Sequence, residues 1–85
     1  MDDLKSRFES ASVQVKSLSE RPDNQTLLRL YALYKQATMG DVSGDRPGFS
    51  DILARFKYDA WHELRGKRCE NAMEEYVELV TELVG

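Results

Sequence analysis

Two tyrosines and a lysine stand together near the middle of the chain. Tyr31 and Tyr34 are three residues apart and share one face of a predicted helix, with Lys35 beside them. They offer two phenol hydroxyls, two aromatic faces and a cation within one turn. This combination suits a phosphate that lies next to a flat heterocycle. From this helix alone, however, the simpler interpretation prevails, in which the tyrosines are core residues and Lys35 is a solvated charge.

A catalytic site has little support in the sequence. His62 and Cys69 are the only obvious pair of base and nucleophile, and both stand near predicted helix ends. A thioesterase or an acyltransferase also needs an oxyanion site held against such a pair. One histidine, one cysteine and scattered carboxylates show no metal-ligand spacing. We therefore expect no enzyme, no metal site and no cofactor, and we interpret these two side chains as a surface histidine and a surface thiol.

Length and composition indicate one small folded domain that covers residues 1–85. Hydrophobic residues make up 41% and charged residues 32% of the chain, which is typical of a folded domain. The net charge of -3 disfavours broad binding to nucleic acid or to an anionic membrane. One cysteine cannot form an internal disulfide, and no apolar stretch approaches the ~20 residues that span a bilayer. We expect a cytoplasmic monomer without stable membrane insertion, since Met1-Asp2-Asp3 shows no basic leader.

The apolar periodicity predicts two helices in the first half of the chain. The first extends from about residue 3 to residue 17, and Ser12 and Lys16 form a polar edge beside its apolar seam. Pro22 breaks this helix and Asp23 can cap the second, which ends at Gly40. The seam comprises Leu4, Phe8, Ala11, Val15 and Leu18; the second stripe comprises Leu27, Leu30, Tyr31, Tyr34 and Thr38, widened by Leu33 and Ala37.

The connection after Gly40 is long for so small a chain. Residues 41–50 contain Gly44, Pro47 and Gly48, which are turn-formers. Short loops join antiparallel helices, so a connection of roughly ten residues favours a crossover that lets two helices run in the same direction. The sequence therefore predicts an all-α fold that is not a simple up-down bundle.

Two more helices follow the crossover. Ser50 or Asp51 can cap the third, which ends at Gly66 and has Lys57 and Trp61 beside its apolar face. The fourth has the clearest periodicity in the chain, although no good capping residue precedes it. The predicted core faces are Leu53, Phe56, Ala60 and Leu64 in the third helix, and Met73, Tyr76, Val77, Val80, Leu83 and Val84 in the fourth.

Several motifs in this order resemble the acyl-CoA-binding protein family. They are YALYKQATMGD at 31–41, RPG at 46–48, KYDAW at 57–61, Leu64, Gly66, and AMxxY at 72–76. The match runs from Phe8 to the last helix. The resemblance implies a four-helix bundle of up-down-down-up order, with a long link between the second and third helices, and a surface that binds coenzyme A thioesters without catalysis.

The resemblance also implies roles for particular residues. Tyr31, Lys35 and Lys57 match the family contacts to the ribose 3'-phosphate, and Tyr34 matches a residue against the adenine. Lys16 and Tyr76 match positions around the nucleotide and the thioester-bearing arm, and Leu27 and Leu28 match acyl-chain contacts. Two ammonium groups and a phenol make charge-assisted bonds to a phosphate, so a net positive charge is not required.

This chain departs from the family at positions near the acyl chain. Phe56 stands where the family has a small residue, and Ser12 replaces a usual alanine. Both bear on chain-length preference, and Phe56 either points into the acyl groove or turns inward with its helical neighbours. The expected function is transport and pool buffering of medium- to long-chain acyl-CoA. The alternative is a helical protein-interaction module in which the tyrosine stripe is simply core.

Overall fold

A computed structural model describes residues 3–85 as four helices. They are α1 (Leu4–Gln14), α2 (Asn24–Met39), α3 (Ile52–His62) and α4 (Cys69–Val84). This confirms the predicted all-α class. The predicted first helix is shorter than expected, because a separate 3-10 turn at Val15–Ser17 follows α1. Met1 and Asp2, which entered the argument for a cytoplasmic location, lie outside the described residues.

Aspartates cap the first three helices. Asp3, Asp23 and Asp51 each accept a hydrogen bond from a backbone N–H of the first turn, which satisfies a donor that has no partner within the helix. The donors are Ser6 at 2.7 Å, Thr26 at 2.7 Å and Ala54 at 3.1 Å. At α4 the cap position is Arg68, whose side chain makes no capping bond. The weak start predicted for the fourth helix is therefore confirmed.

The buried core lies where α4 packs against α1 and α2. Leu33 and Val80 are fully buried at 0% exposure. Ala11, Ala32, Ala37 and Ala72 let the helices approach closely, because an alanine side chain takes little space. The remaining buried apolar side chains are Phe8, Leu30, Leu64 and Tyr76. By contrast, α3 packs against α2 alone among the other helices.

Contacts between α2 and α3 show that the two helices run in the same direction. Near the middle of α2, the Tyr31 ring lies beside the Lys57 ammonium group. Further toward the C-terminus, the Gln36 amide oxygen accepts a hydrogen bond from the Trp61 indole at 3.1 Å. Residue numbers therefore increase in the same direction along α2 and α3. This is the parallel arrangement that the long connection predicted.

Contacts between α2 and α4 show the opposite relation. The Arg29 guanidinium donates to the Glu75 carboxylate at 2.8 Å, whereas Gln36, later in α2, donates to the carbonyl of Lys67, earlier in the chain than Glu75. The two helices are therefore antiparallel. With the short connection at residues 18–23, the bundle has the up-down-down-up order that the resemblance implied.

Side chains fasten the long connection between α2 and α3. It begins at Gly40, whose φ of 78° lies in the region that favours glycine. The fastening bonds run from Arg46 to both carboxylate oxygens of Asp59 at 2.9 and 2.6 Å, from the Tyr58 hydroxyl to the Gly44 carbonyl at 3.2 Å, and from Arg55 to the Pro47 carbonyl at 3.0 Å. The crossover is thus held against the outer surface of α3.

Three predicted apolar faces are wrong in part. In the face of α4, Val84 is 55% exposed. Leu53 and Phe56 are 60% and 55% exposed, because no helix covers the N-terminal half of α3 on that side. Thr38 is exposed too, and its hydroxyl donates to the Tyr34 carbonyl at 2.9 Å within its own helix. The buried face of α2 instead includes Gln36, which is 1% exposed. Over residues 3–85, every helix is too short or too polar to cross a membrane.

Candidate functional site

The Tyr31 ring gathers two lysines from two helices. The Lys35 ammonium lies 5.9 Å and the Lys57 ammonium 5.3 Å from the centre of this ring. Tyr31 and Lys35 are four residues apart on α2, and the parallel packing of α3 brings Lys57 to the same place. All three side chains are partly exposed. The structure thus joins into one cluster the three residues predicted to contact the phosphate.

A polar network beneath this cluster positions Trp61. The indole N–H donates to the Gln36 amide oxygen at 3.1 Å and to the Gly40 carbonyl at 2.8 Å. The Gln36 amide nitrogen donates in turn to Asp41 at 2.8 Å and to the Lys67 carbonyl at 2.9 Å. The Lys35 ammonium lies 5.7 Å from the centre of the Trp61 ring, a favourable cation–π distance. The network therefore fixes the aromatic surface on which Lys35 rests.

Asp41 closes the network at the turn before α4. Its carboxylate accepts hydrogen bonds from the backbone N–H of Gly66 and from the Gln36 amide, both at 2.8 Å. The Gly66 bond chiefly, with that from Gln36 and the nearby Arg65 charge, holds the pKa of Asp41 below its ordinary value of 3.8. The charged carboxylate thus links the end of α2 to the turn that precedes α4.

Three aromatic rings join α1, α2 and α4 on the other side of the Tyr31 turn. Phe8 stacks on Tyr34 with 5.4 Å between ring centres and meets Tyr76 edge-on at 5.1 Å. Tyr34 stays 42% exposed, whereas Tyr76 is only 4% exposed. Burial, with a smaller effect of neighbouring Tyr34, raises the pKa of the Tyr76 phenol. Tyr34 therefore offers aromatic surface to a ligand, while Tyr76 mainly supports it from below.

An apolar groove of about 880 Å³ opens between α2 and the start of α3. Its walls are Leu27, Leu28 and Tyr31 from α2 and Ile52, Leu53, Phe56 and Lys57 from α3, with Arg21, Asn24 and Gln25 at one end. Leu27, Leu28 and Phe56, predicted near an acyl chain, thus lie in one groove whose other end reaches the Tyr31–Lys57 contact. Phe56 points into the groove rather than into the core.

A second, smaller cavity of about 320 Å³ adjoins the groove. Leu28, Phe56 and Gln25 line both spaces, so these side chains lie at the junction. The smaller cavity is otherwise lined by Arg29, Ala32, Asp59, Ala60 and Glu63. The Phe56 ring therefore lies where a long chain in the groove would continue into the second cavity.

Two predicted site residues belong neither to the Tyr31 cluster nor to the three aromatic rings, and they do not line the groove. The Ser12 hydroxyl donates to the Glu9 carbonyl at 2.7 Å within α1, and Ser12 lines neither cavity. Lys16 is exposed in the 3-10 turn and forms no ion pair within residues 3–85. Their roles toward a ligand stay predictions.

Sequence reasoning missed several residues of the site. Ile52 was given no role, and Leu53 was placed in the core because its helical spacing matched that of buried neighbours. Gln36 follows Leu33 by three residues, so the spacing that marks the core could have indicated a buried amide. Arg21 and Asn24 stand beside the helix break and carried no pattern that pointed to a groove.

The pair considered for catalysis has no catalytic arrangement. His62 stacks on Tyr58 with 5.9 Å between ring centres, and its ring nitrogen is 3.5 Å from Arg65. Cys69 is the partly buried first residue of α4. Over residues 3–85 no hydrogen bond joins the two, and no group of three or more potential ligands is placed to hold a metal ion.

Comparison with known proteins gives a consistent result. A family model described as Acyl CoA binding protein matches residues 5–80. The Acyl-CoA-binding protein of Saccharomyces cerevisiae is 44% identical over 77 residues, which are 91% of this chain and 88% of that protein. The Acyl-CoA-binding protein of Brassica napus is 44% identical over 81 residues, 95% of this chain and 88% of its own.

The fold has a close match among solved structures. The crystal structure of Oryza sativa Acyl-CoA-Binding Protein 2 superposes with a TM-score of 0.92 at 40% sequence identity. The match covers 96% of this chain and 91% of the rice protein. The similarity therefore extends over almost all of both chains.

Proposed function

This chain belongs to the acyl-CoA-binding protein family, a family of non-catalytic binding proteins, and we propose that it carries medium- to long-chain acyl-CoA thioesters. Family membership confirms the expectation of a binding protein rather than an enzyme. The proposal goes further and assigns the two ends of the ligand. The Tyr31, Lys35 and Lys57 cluster takes the 3'-phosphate, and the groove between α2 and α3 takes the acyl chain.

The observation that carries the proposal is the meeting of two lysines from separate helices at the Tyr31 ring. A phosphate dianion placed there accepts charge-assisted hydrogen bonds from both ammonium groups and from the phenol. Each such bond contributes roughly 1.5 to 3 kcal/mol. Because Tyr34 keeps 42% of its surface exposed one turn further along, an adenine ring can stack beside the phosphate.

The groove supports the assignment of the acyl chain. Ile52, Leu53 and Phe56 expose more than half of their surface to solvent, and a bound chain would cover them. Each methylene removed from water contributes about 0.8 kcal/mol before association costs are subtracted. Binding therefore removes apolar surface of both the acyl chain and the groove from water. The cytoplasmic location, the monomeric state and a role in transport and pool buffering stay predictions.

Removal of the 3'-phosphate from the ligand tests the proposal. We expect palmitoyl-dephospho-CoA to bind more than about tenfold more weakly than palmitoyl-CoA, since several charge-assisted bonds are lost. The Lys57→Ala variant should distinguish the two ligands less well than the unaltered protein, because it has lost one of these bonds while Lys35 and Tyr31 remain. Lys5→Ala, which removes an exposed α1 lysine, is the matched control and should keep the full discrimination. Isothermal titration calorimetry measures all six affinities.

Equal affinities of the unaltered protein for the two ligands would refute the phosphate assignment. The alternative function, a helical interaction module, predicts a different result. A ligand that binds only the folded state raises the melting temperature, so palmitoyl-CoA should stabilise a carrier strongly. An interaction module would show no such shift.

A further inference from the structure

The groove ends in polar side chains at the N-terminus of α2. Arg21, Asn24 and Gln25 line it there, whereas Tyr31 and Lys57 line its other end. Seven residues separate Asn24 from Tyr31 along α2, which corresponds to roughly 10 Å of helix. Leu27, Leu28 and the apolar side chains of α3 line the space between. The groove therefore has a cation at each end and an apolar middle.

The cation at the far end is not neutralised by a carboxylate. The Arg21 guanidinium donates to the Asn24 side-chain oxygen at 3.3 Å, and Arg21 takes part in none of the ion pairs formed within residues 3–85. The first turn of α2 holds no acidic residue. Asp23 uses its carboxylate to cap α2, and neither it nor Glu20 lines the groove. Arg21 thus retains its capacity to pair with an incoming anion.

We propose that this end of the groove recognises acyl-CoA thioesters whose chain ends in a second carboxylate, with Arg21 as the residue that pairs with it. This inference rests on the proposed function, because it needs the phosphate end of the ligand at Lys35 and Lys57. A methyl terminus gains nothing from Arg21 or from the amides of Asn24 and Gln25. A carboxylate gains charge-assisted hydrogen bonds from the guanidinium and from the side-chain amides.

The expected effect is modest, because Arg21 is exposed. Ion pairs in such surroundings are partly screened, and their measured strengths correspond to about a two- to fivefold change in affinity. The effect should depend on chain length, since only a chain that spans the apolar middle brings its carboxylate to Arg21. It should also fall as the salt concentration rises.

A comparison of paired ligands tests the inference. Three proteins are compared: the unaltered chain, Arg21→Gln and Arg7→Gln. Each is titrated with palmitoyl-CoA and with hexadecanedioyl-CoA, which differ only in the second carboxylate at the chain end. The same pair of ligands is then used with chains of dodecyl and octadecyl length. Glutamine keeps an apolar stem and removes the charge, and Arg7 is an exposed α1 cation that lines neither cavity. The readout is the ratio of the two dissociation constants at each length.

We expect Arg21→Gln to weaken the dicarboxylic ligand about two- to fivefold relative to its partner for at least one chain length. Arg7→Gln should leave every ratio unchanged. The same ratios in Arg21→Gln and in the unaltered protein at all lengths would overturn the inference, and the proposed function would stand if palmitoyl-CoA still bound. Failure of the unaltered protein to bind either ligand would overturn both.

Discussion

The two sides of α2 differ in how completely they are covered. On one side, α1 and α4 cover Leu33 and Ala37 of α2, and Val80 of α4 lies in the same core; none of the three is more than 4% exposed. On the other side, α3 covers α2 only toward its C-terminal half, where Trp61 reaches Gln36. Toward the N-terminal half, Leu53 keeps 60% of its surface in contact with solvent.

The physical cause lies in the partners that each helix has. The fourth helix packs against both α1 and α2, so its apolar stripe is covered except at its end, where Val84 is 55% exposed. The third helix packs against α2 only, so part of its apolar surface has nothing to cover it. The closed side therefore supplies most of the folding stability, and the open side offers apolar surface to a ligand.

We expect the largest effect in a comparison of protein stability after the same leucine-to-alanine substitution on each side of α2. Leu33→Ala removes a fully buried side chain and should lower the free energy of unfolding by about 2 to 5 kcal/mol. Leu53→Ala, at 60% exposure, should change it by less than about 0.5 kcal/mol. Urea unfolding followed by circular dichroism measures both values.

The affinity for ligand should show the opposite order between the same two variants. Leu53→Ala should weaken palmitoyl-CoA binding, because Leu53 lines the groove, whereas Leu33 contacts neither cavity. Affinity is measured below the unfolding transition of each variant. Comparable losses of stability in the two variants would contradict the division into a closed and an open side.

Phe56→Ala should give the next largest effect and sharpen the description of the open side. Since the ring lies at the junction of the two cavities, its removal should let longer chains continue to gain affinity, at up to about 0.8 kcal/mol for each added methylene. In the unaltered protein, affinity should level off at a shorter chain. Titrations with octanoyl-, lauroyl-, palmitoyl- and stearoyl-CoA locate the plateau in both proteins.

Stability measurements are the control for Phe56→Ala. The ring is 55% exposed, so the melting temperature should change little. An unmoved plateau together with a large drop in melting temperature would mean that Phe56 acts as a core residue in solution.

The smallest effect concerns the pH dependence of stability at Asp41, whose carboxylate links the end of α2 to the turn before α4. Folding lowers the pKa of Asp41 from its ordinary value of 3.8. The charged carboxylate therefore stabilises the fold at every pH above that value. This contribution is lost as the pH falls through the lowered value. Asp41→Asn should therefore be less stable than the unaltered protein near neutral pH, and the difference should shrink in acid. Urea unfolding from about pH 7 to about pH 3 measures that difference.

Asp3, Asp23 and Asp59 also have lowered pKa values, from hydrogen bonds to Ser6, Thr26 and Arg46 respectively. They contribute to acid sensitivity in both proteins and cancel in the comparison. A constant difference between Asp41→Asn and the unaltered protein over the whole range would show that the charge of Asp41 has no role.

Local features of the chain were predicted well. Neighbours within a few residues determine the cap at Asp23, the end of α2 at Gly40 and most of the stripe of α4. For α3 the sequence left Ser50 and Asp51 as alternatives, and the structure shows the cap at Asp51. The parallel direction of α2 and α3 followed from the length of one connection. Such features are predictable because local hydrogen bonding and chain geometry determine them.

The candidate site was predicted less evenly. The family resemblance named Tyr31, Lys35 and Lys57, which the structure brings together. No spacing rule could indicate that Arg21 lines the same groove as Lys57, because the two are distant in the chain. Ser12 and Lys16 were named on the same grounds, yet they line neither cavity and do not take part in the contacts around Tyr31.

The sequence by itself determined that there are four helices, which of them run parallel, and the family to which the chain is similar. It extended the first and third helices beyond their observed ends at Gln14 and His62. Only the tertiary structure decided whether an apolar face becomes core or groove. Leu53 and Leu64 share one stripe of the predicted third helix, but α3 ends at His62 and Leu64 lies in the turn that follows. Leu53 is 60% exposed, whereas Leu64 is only 8% exposed. Periodicity shows that a face is apolar, but burial depends on whether another part of the chain reaches it, and that is a property of the assembled bundle.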